Sequence, residues 1–457
     1  MIAYSIAKLL KNRYSPNNVD LSFHRAKATY LSESIIPSEI FAYSGQGATL
    51  QTTKGELIDL SSMTVNCILG QNDPWVNANI VAYLLSGRPS FLTTRLGSEF
   101  YYKVARRILD VIKMKKSVIN HRQCNGTDVT ELAVLAAYQH KNESQKILVS
   151  FNNSYHGQGL TAYHISGLQK KHRFLIHTSP TIFLNQPTNT NNIDVIEELS
   201  KNDEEILQKL EQIGRSVFAV IIEPIQVNNA VNTPTKAFMH NLKEICKRNK
   251  IALIFDEIQT GFGWLGKMTA AERYEVAPNL LALSKALTSG NGPFAALISD
   301  KMYQDIPDGT GAKTNGADIR SLVASNVVID RLVGIPIDKI PQGIDDTLSE
   351  ELQKGLLSDF LPKQKMLQQY LLELYDSSKG MVNALKGYGL IRGIEIVDAQ
   401  GNYDETITKK IHYDLLDSGV LIRYSHHTLI FKPPIVISES EMEKGFEIVK
   451  KVIKKYN

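Results

Sequence analysis

Residues 251–263 read IALIFDEIQTGFG. The run 251–255 is continuously apolar and then stops at two adjacent carboxylates, Asp256 and Glu257. An uninterrupted apolar run of this length, rather than an alternating one, fits a strand of a parallel sheet covered by helices on both faces. A carboxylate at the end of such a strand is costly to bury without a partner. Ligands in open α/β sheets sit beyond the carboxyl ends of the strands. Read alone, a strand-end Asp is more often structural or solvated than chemical.

Similar short apolar runs lie on either side, at 146–150 (KILVS), 217–222 (VFAVII), 280–283 and 295–298. Between them, Val129, Leu132, Ala133 and Ala136 recur at helical spacing. The alternation predicts an α/β fold, a mostly parallel central sheet covered by helices. Before it, 41–60 reads as short strands punctuated by glycine, and Asn72-Asp73-Pro74 opens a helix with Ile80, Tyr83 and Leu84 on one face. After Pro336 the pattern predicts a long helix over 345–375, the strand-like GLIRGIEIVD, a helix over 406–416, the strand-like HTLIFKPPIVI and a last helix over 439–455. The expected organisation is a large domain at 66–335 and a smaller α+β domain built from both chain ends, 1–65 and 336–457.

Composition narrows the function. The chain has 457 residues, with 51 Lys and Arg against 47 Asp and Glu, a formal net charge of +4. That near-neutrality argues against a dedicated nucleic-acid binder, which concentrates basic charge on one face. The hydrophobic fraction of 43% excludes wholesale disorder. Cys67, Cys124 and Cys246 are far apart and show no metal-ligand spacing, so a reducing, cytoplasmic setting is expected. No apolar run is long enough to cross a membrane. Lys8, Lys11 and Arg13 precede the first acidic residue, Asp20, as in a transit peptide, but Ile2, Ile6, Leu9 and Leu10 favour an ordinary amphipathic first helix. His426-His427 lacks a third ligand at sensible spacing, so no metal site is expected there. The lysines at 450, 451, 454 and 455 read as the wet face of the terminal helix.

The chemistry lies at the strand ends. The run 279–287, NLLALSKAL, delivers Lys285 just past a strand. Desolvation there lowers an amine's pKa and favours it as a nucleophile, although a strand-end Lys alone is usually a surface residue. Lys285 and Asp256 together make the pair that pyridoxal phosphate requires, a carbonyl-reactive amine and an acid for a cationic ring nitrogen. Asn125-Gly126-Thr127-Asp128 precedes a helix whose N-terminal N–H groups suit a phosphate, and equally suit a simple cap. Tyr155, in Ser154-Tyr155-His156-Gly157, offers a ring to stack on a flat cofactor or to pack on its own loop.

The order of these motifs resembles the class III pyridoxal-phosphate-dependent aminotransferases of fold type I, over about residues 40–440. Asn125–Asp128 resembles that family's Ser-Gly-Thr-Glu phosphate loop. Tyr155-His156-Gly157 matches its Tyr-His-Gly segment, Glu223-Pro224-Ile225-Gln226 its Glu-Pro strand end, and residues 256–263 its signature. Ser284-Lys285-Ala286-Leu287 carries the expected Schiff-base lysine. The resemblance implies that Asp256 holds the ring nitrogen, Gln259 the ring's phenolic oxygen, and Gly126 and Thr127 the phosphate. Tyr155, His156 and Glu223 would complete the cofactor site. Thr314 resembles a threonine that reaches the phosphate of a neighbouring subunit, which implies a homodimer with its site at the interface. The implied reaction is ping-pong amino transfer from a small-molecule amine donor to an oxo-acid acceptor, with Lys285 as proton carrier. An aminomutase or amino-acid epimerase, or a catalytically silent binding homologue, are the alternative readings.

The departures bear on substrate. The segment after Thr314 is Asn315-Gly316-Ala317-Asp318, where the family usually has Phe-Gly-Gly-Asn, and the family's early Gly-His is Gly70-Gln71. Many members that act on α-amino acids carry an Arg just ahead of a Pro-Pro pair, gripping a carboxylate by two bonds. Here Ile430 stands at that position, before Lys432-Pro433-Pro434. Lys432 or Arg423 could substitute, or carboxylate recognition comes from elsewhere. The change favours a donor amine distal to any carboxylate, such as a diamine or diamino acid. The run Gly292-Pro293-Phe294-Ala295 after Lys285 has some likeness to diaminobutyrate aminotransferases.

Overall fold

The computed structural model describes residues 2–16, 40–93, 95–114, 117–168, 180–195, 197–307 and 310–456. Asp20 lies outside them. The first helix, Ile2–Leu10, is present, with Ile6 and Leu10 exposed.

Fifteen strands are described. They are β1 (Ala42–Gln46), β2 (Thr49–Thr52), β3 (Gly55–Asp59), β4 (Ser117–Gln123), β5 (Ile147–Phe151), β6 (Thr181–Leu184), β7 (Val217–Ile222) and β8 (Ala252–Asp256). They continue with β9 (Leu280–Leu283), β10 (Ala295–Asp300), β11 (Val382–Tyr388), β12 (Ile391–Ile396), β13 (Val420–Leu421), β14 (Arg423–Ser425) and β15 (Thr428–Phe431).

The central sheet has seven strands in the order β4-β10-β9-β8-β7-β5-β6. The neighbours from β9 to β6 pair in parallel. Every residue of β7, β8 and β9 is buried, which is why these strands read as unbroken apolar runs. Successive residues point to opposite faces. Ala219, Ile221, Ala252 and Ile254 join Val129, Leu132, Ala133 and Ala136 of the helix Gly126–Gln139 in one core. Val220, Ile222, Leu253 and Phe255 join the core on the other side, with Phe238 and Leu242 of the helix Lys236–Arg248.

Three features depart from the sequence reading. First, β10 runs antiparallel to both its neighbours, β9 and β4. Residues 284–294 are too few, and hold only a short 3₁₀ turn at Lys285–Thr288, to make the crossover that a parallel return needs. Two edge strands, β4 and β6, are not marked by the apolar-run pattern: β4 (SVINHRQ) is only partly covered and carries polar residues, and β6 (TIFL) is only four residues long. Second, the helix expected over 345–375 is two helices, Asp346–Lys354 and Phe360–Ser377. The break is at Gly355, whose φ of +72° and approach to Gly334 leave no room for a side chain: a Cβ there would lie 2.4 Å from the Gly334 nitrogen. Third, in the helix Pro74–Leu85, capped by Asp73, Tyr83 is buried but Leu84 is exposed.

Two smaller sheets flank the central one. One runs β1-β2-β3-β13 and the other β11-β12-β15-β14. The first takes its outer strand from far along the chain, with Val420 beside Ile58 in parallel pairing. Among the described residues no helix is long and apolar enough to cross a membrane.

Candidate active site

A cavity of about 620 Å³, open to solvent, lies at the carboxyl end of the central sheet. Strand ends supply most of its wall. Asp256 is the last residue of β8, Glu223 directly follows β7, Tyr155 and His156 follow β5, and Lys285 lies just past β9. Asn125, Gly126 and Thr127 begin the helix after β4 and close the other end, with Gln259 and Ile258 on the turn below Asp256. Of the nine residues singled out in the sequence, eight therefore meet in one cavity: Gly126, Thr127, Tyr155, His156, Glu223, Asp256, Gln259 and Lys285. Thr314 does not; it is exposed, on the loop beside Lys313, which ion-pairs with Asp128 at 3.6 Å.

Asp256 is buried and held at both oxygens. One accepts a bond from His156 Nδ1 at 2.8 Å, the other from the Ile258 backbone N–H at 3.2 Å. Its sequence neighbour Glu257 is spent on structure. It accepts from the Ala270 and Ala271 N–H groups at 2.6 and 2.8 Å, and so caps the helix Ala270–Tyr274. Glu223 accepts the Tyr155 N–H at 2.9 Å, and burial, then the nearby charge of Asp256, pushes its carboxyl well above the usual range.

Lys285 stands in left-handed backbone, φ +47°, where the strand direction turns into the 3₁₀ segment. Burial, and next the positive charge of Arg423, lower its amine to about 8, while Asp256 and Glu223 pull the other way. An amine so placed is unprotonated often enough near neutral pH to act as a nucleophile and proton carrier.

The cavity suits a flat, phosphate-bearing ring. Gly126 leaves room that a Cβ would take, since one there would come within 2.9 Å of Ile258 Cδ1. Gly157, at φ +120°, brings its backbone against Thr127, where a Cβ would sit 2.5 Å from Oγ1. The helix N-terminus behind these glycines offers unpaired N–H groups and partial positive charge. Two buried atoms of the cavity wall, Gln259 Oε1 and His156 Nε2, have no hydrogen-bond partner among the described residues.

The structure also separates the two cations that the sequence offered near Ile430. Arg423 on β14 pairs directly with Ile430 on β15, so both side chains share one face of the sheet. Its guanidinium donates to Asn228 Oδ1 at 3.3 Å, and among the described residues no carboxylate is within ion-pairing distance. Its charge reaches Tyr155 and Lys285, both in the cavity wall. Lys432 instead follows the end of β15 and is fully buried, its Nζ 2.5 Å from the Gln259 carbonyl oxygen. Asn228, whose part the sequence did not suggest, is an unremarked polar residue in the loop after Glu223; no local pattern marks it. Among the described residues no group of three or more His, Cys, Asp or Glu is placed to hold a metal ion.

Sheet order, covered faces and a strand-end cavity define the class: a fold type I pyridoxal-phosphate-dependent transferase. The fold is similar to that of an amine transaminase from an uncultivated Pseudomonas species in its PLP-bound form, with a TM-score of 0.77 and 20% identity over 96% of this chain and 100% of that one. It is also similar to a taurine:2-oxoglutarate aminotransferase from Bifidobacterium kashiwanohense, with a TM-score of 0.78 and 19% identity over 95% and 96% of the two chains. The family model described as aminotransferase class-III matches residues 32–453, and the chain belongs to that family. Curated relatives include ornithine aminotransferase 1 of Staphylococcus aureus, 26% identical over 429 residues, covering 91% of this chain and 95% of that one. The acetylornithine aminotransferase of Haemophilus ducreyi is 24% identical over 433 residues, covering 93% and 97%.

Proposed function

We propose that this protein uses pyridoxal phosphate to move an amino group from an amine or ω-amino donor, such as a diamino acid, to an oxo-acid acceptor, in two half-reactions. The observation that carries the reading is the meeting of Lys285, Asp256 and the Gly126–Thr127 helix terminus in one cavity. Bound pyridoxal phosphate would supply a reactive carbonyl and an electron-withdrawing ring. Asp256 would hold the ring nitrogen protonated, and His156, bonded to Asp256 at 2.8 Å, keeps that carboxylate aimed. Gly126 and Thr127 would hold the phosphate, Tyr155 would lie against the ring and Gln259 would bond the ring oxygen, while Glu223 fixes Tyr155 through its backbone.

Lys285 takes a proton from the substrate carbon and returns it at a neighbouring atom. Proton transfer by a positioned group contributes roughly 10²–10⁴-fold to such rates. An amine held near pKa 8 carries the proton both ways close to neutrality. Arg423 grips the carboxylate of donor or acceptor, because it is the cation on Ile430's face that lacks an acidic partner among the described residues. The relatives named for ornithine and acetylornithine support a donor of the diamino-acid class.

The active form is a homodimer in which Thr314 completes the partner's phosphate site; its exposure outside the cavity supports this. The division into 66–335 and a second unit from 1–65 and 336–457 is supported by the pairing of β13 with β3. Three free thiols support a cytoplasmic setting.

The test is a scan of amines against cofactor-loaded protein, following its visible absorbance in single half-reactions without acceptor. Diamines or diamino acids should bleach it fastest. No change with any amine would sink the proposal.

A further inference from the structure

Lys432 is a fully buried lysine that the reaction does not use. Its surroundings are unusual for an ammonium group. Nζ lies 2.5 Å from the backbone oxygen of Gln259 and 4.6 Å from the centre of the Trp264 ring. Among the described residues no carboxylate is within ion-pairing distance of it. Burial pushes its amine well below the ordinary lysine range, and the nearby charges of Lys285 and Arg423 push the same way. Such a group is expensive to keep, and a carbonyl and a ring face are modest compensation.

What the lysine touches explains the arrangement. Gln259 is on the turn between Asp256 and the glycines, and its side chain enters the cavity with Oε1 unpaired. The turn is fixed before and after this point, by Glu257 on the helix Ala270–Tyr274 and by Phe262, whose N–H donates to the Met268 carbonyl at 2.7 Å. Lys432 holds its middle. Lys432 is itself anchored by its backbone. Its N–H donates to the Leu60 carbonyl at 2.6 Å, and its carbonyl accepts from Ser62 Oγ at 2.6 Å. One residue thus joins the segment after β3, the end of β15 and the turn under the cofactor cavity.

We propose that Lys432 is a positioning residue, which holds the Gln259 turn by its carbonyl so that the Gln259 amide stays aimed at the cofactor ring. The proposal rests on the reading of the cavity as a pyridoxal phosphate site. A side chain that must meet a ligand within a fraction of an ångström needs its own backbone held by a second layer of contacts.

The experiment compares wild type with Lys432→Met and Lys432→Gln. Methionine fills the space and removes the donor; glutamine keeps a neutral donor. The readouts are the dissociation constant for pyridoxal phosphate and the visible circular dichroism of the loaded protein, which reports ring orientation. Lys432→Met should bind the cofactor roughly tenfold more weakly, the scale of losing one buried hydrogen bond, with altered circular dichroism. Lys432→Gln should recover most of both. A folded Lys432→Met with unchanged affinity and spectrum would overturn the proposal, as would a glutamine variant no better than methionine. If the methionine variant does not fold, Lys432→Leu takes its place, and unchanged affinity and spectrum in that variant overturn the proposal in the same way. Wild type that binds no pyridoxal phosphate would overturn the functional reading itself, and this proposal with it.

Discussion

At Lys285, burial and the charge of Arg423 drive the proton off, while Asp256 and Glu223 draw it back, and the balance leaves the amine near 8. The sign is testable. Only the free amine captures a carbonyl, so cofactor-free protein should take up pyridoxal phosphate faster as pH rises, with a midpoint near 8 and a plateau above it. Arg423→Gln removes a lowering charge and should move that midpoint upward. Stopped-flow absorbance across pH 6.5–10 reads both; a midpoint that stays put in the variant contradicts the assigned cause. Lys285→Ala should abolish turnover. Asp256→Asn should cut kcat by roughly 10²–10³-fold, the scale of losing one preorganised electrostatic partner. Of the cavity's residues, those within short motifs could be read from the chain, because each motif packs its chemistry into a few adjacent positions. Arg423 and Asn228 could not be ranked that way. Their meaning comes from a cross-strand pair and a loop contact that exist only after folding.

Buried strands declare themselves as apolar runs, so β7, β8 and β9 were plain in the sequence, while β4 and β6 at the edges were not. The long helix read over 345–375 failed at Gly355, since helical spacing continues across the break and only the approach of Gly334 shows why the chain must turn there. Gly355→Ala meets both a left-handed φ and a backbone clash. It should destabilise the protein by about 2–4 kcal/mol, measured by urea denaturation. Glu257→Ala leaves two buried N–H groups at the start of the helix Ala270–Tyr274 without an acceptor. The expected loss is about 2–4 kcal/mol, and Glu257→Gln, which keeps one acceptor, should lose less.

For the molecule as a whole, the expectation concerns a second copy. Val81, Leu84, Phe91, Leu96 and Tyr102 expose apolar surface along one stretch of chain. Sedimentation at micromolar concentration should show a dimer. Thr314→Glu should impair activity, and co-expression with Lys285→Ala should restore what neither variant has alone, because one hybrid site then holds both intact residues. A mixture that stays inactive would place Thr314 outside the partner's site.

The contact between Ser62 and Lys432 joins residues 370 positions apart. On the ribosome, the segment that anchors Lys432 emerges 370 residues ahead of it. The central sheet is complete in sequence once β10 has been translated, but the floor of its cavity is not, because the turn under it is held by a residue from β15's end. Nascent chains therefore pass through a stage in which the cofactor's walls exist without their last support. Pyridoxal phosphate capture should be a late event in biosynthesis, and chains stalled before residue 432 should bind it poorly however well their sheet has formed.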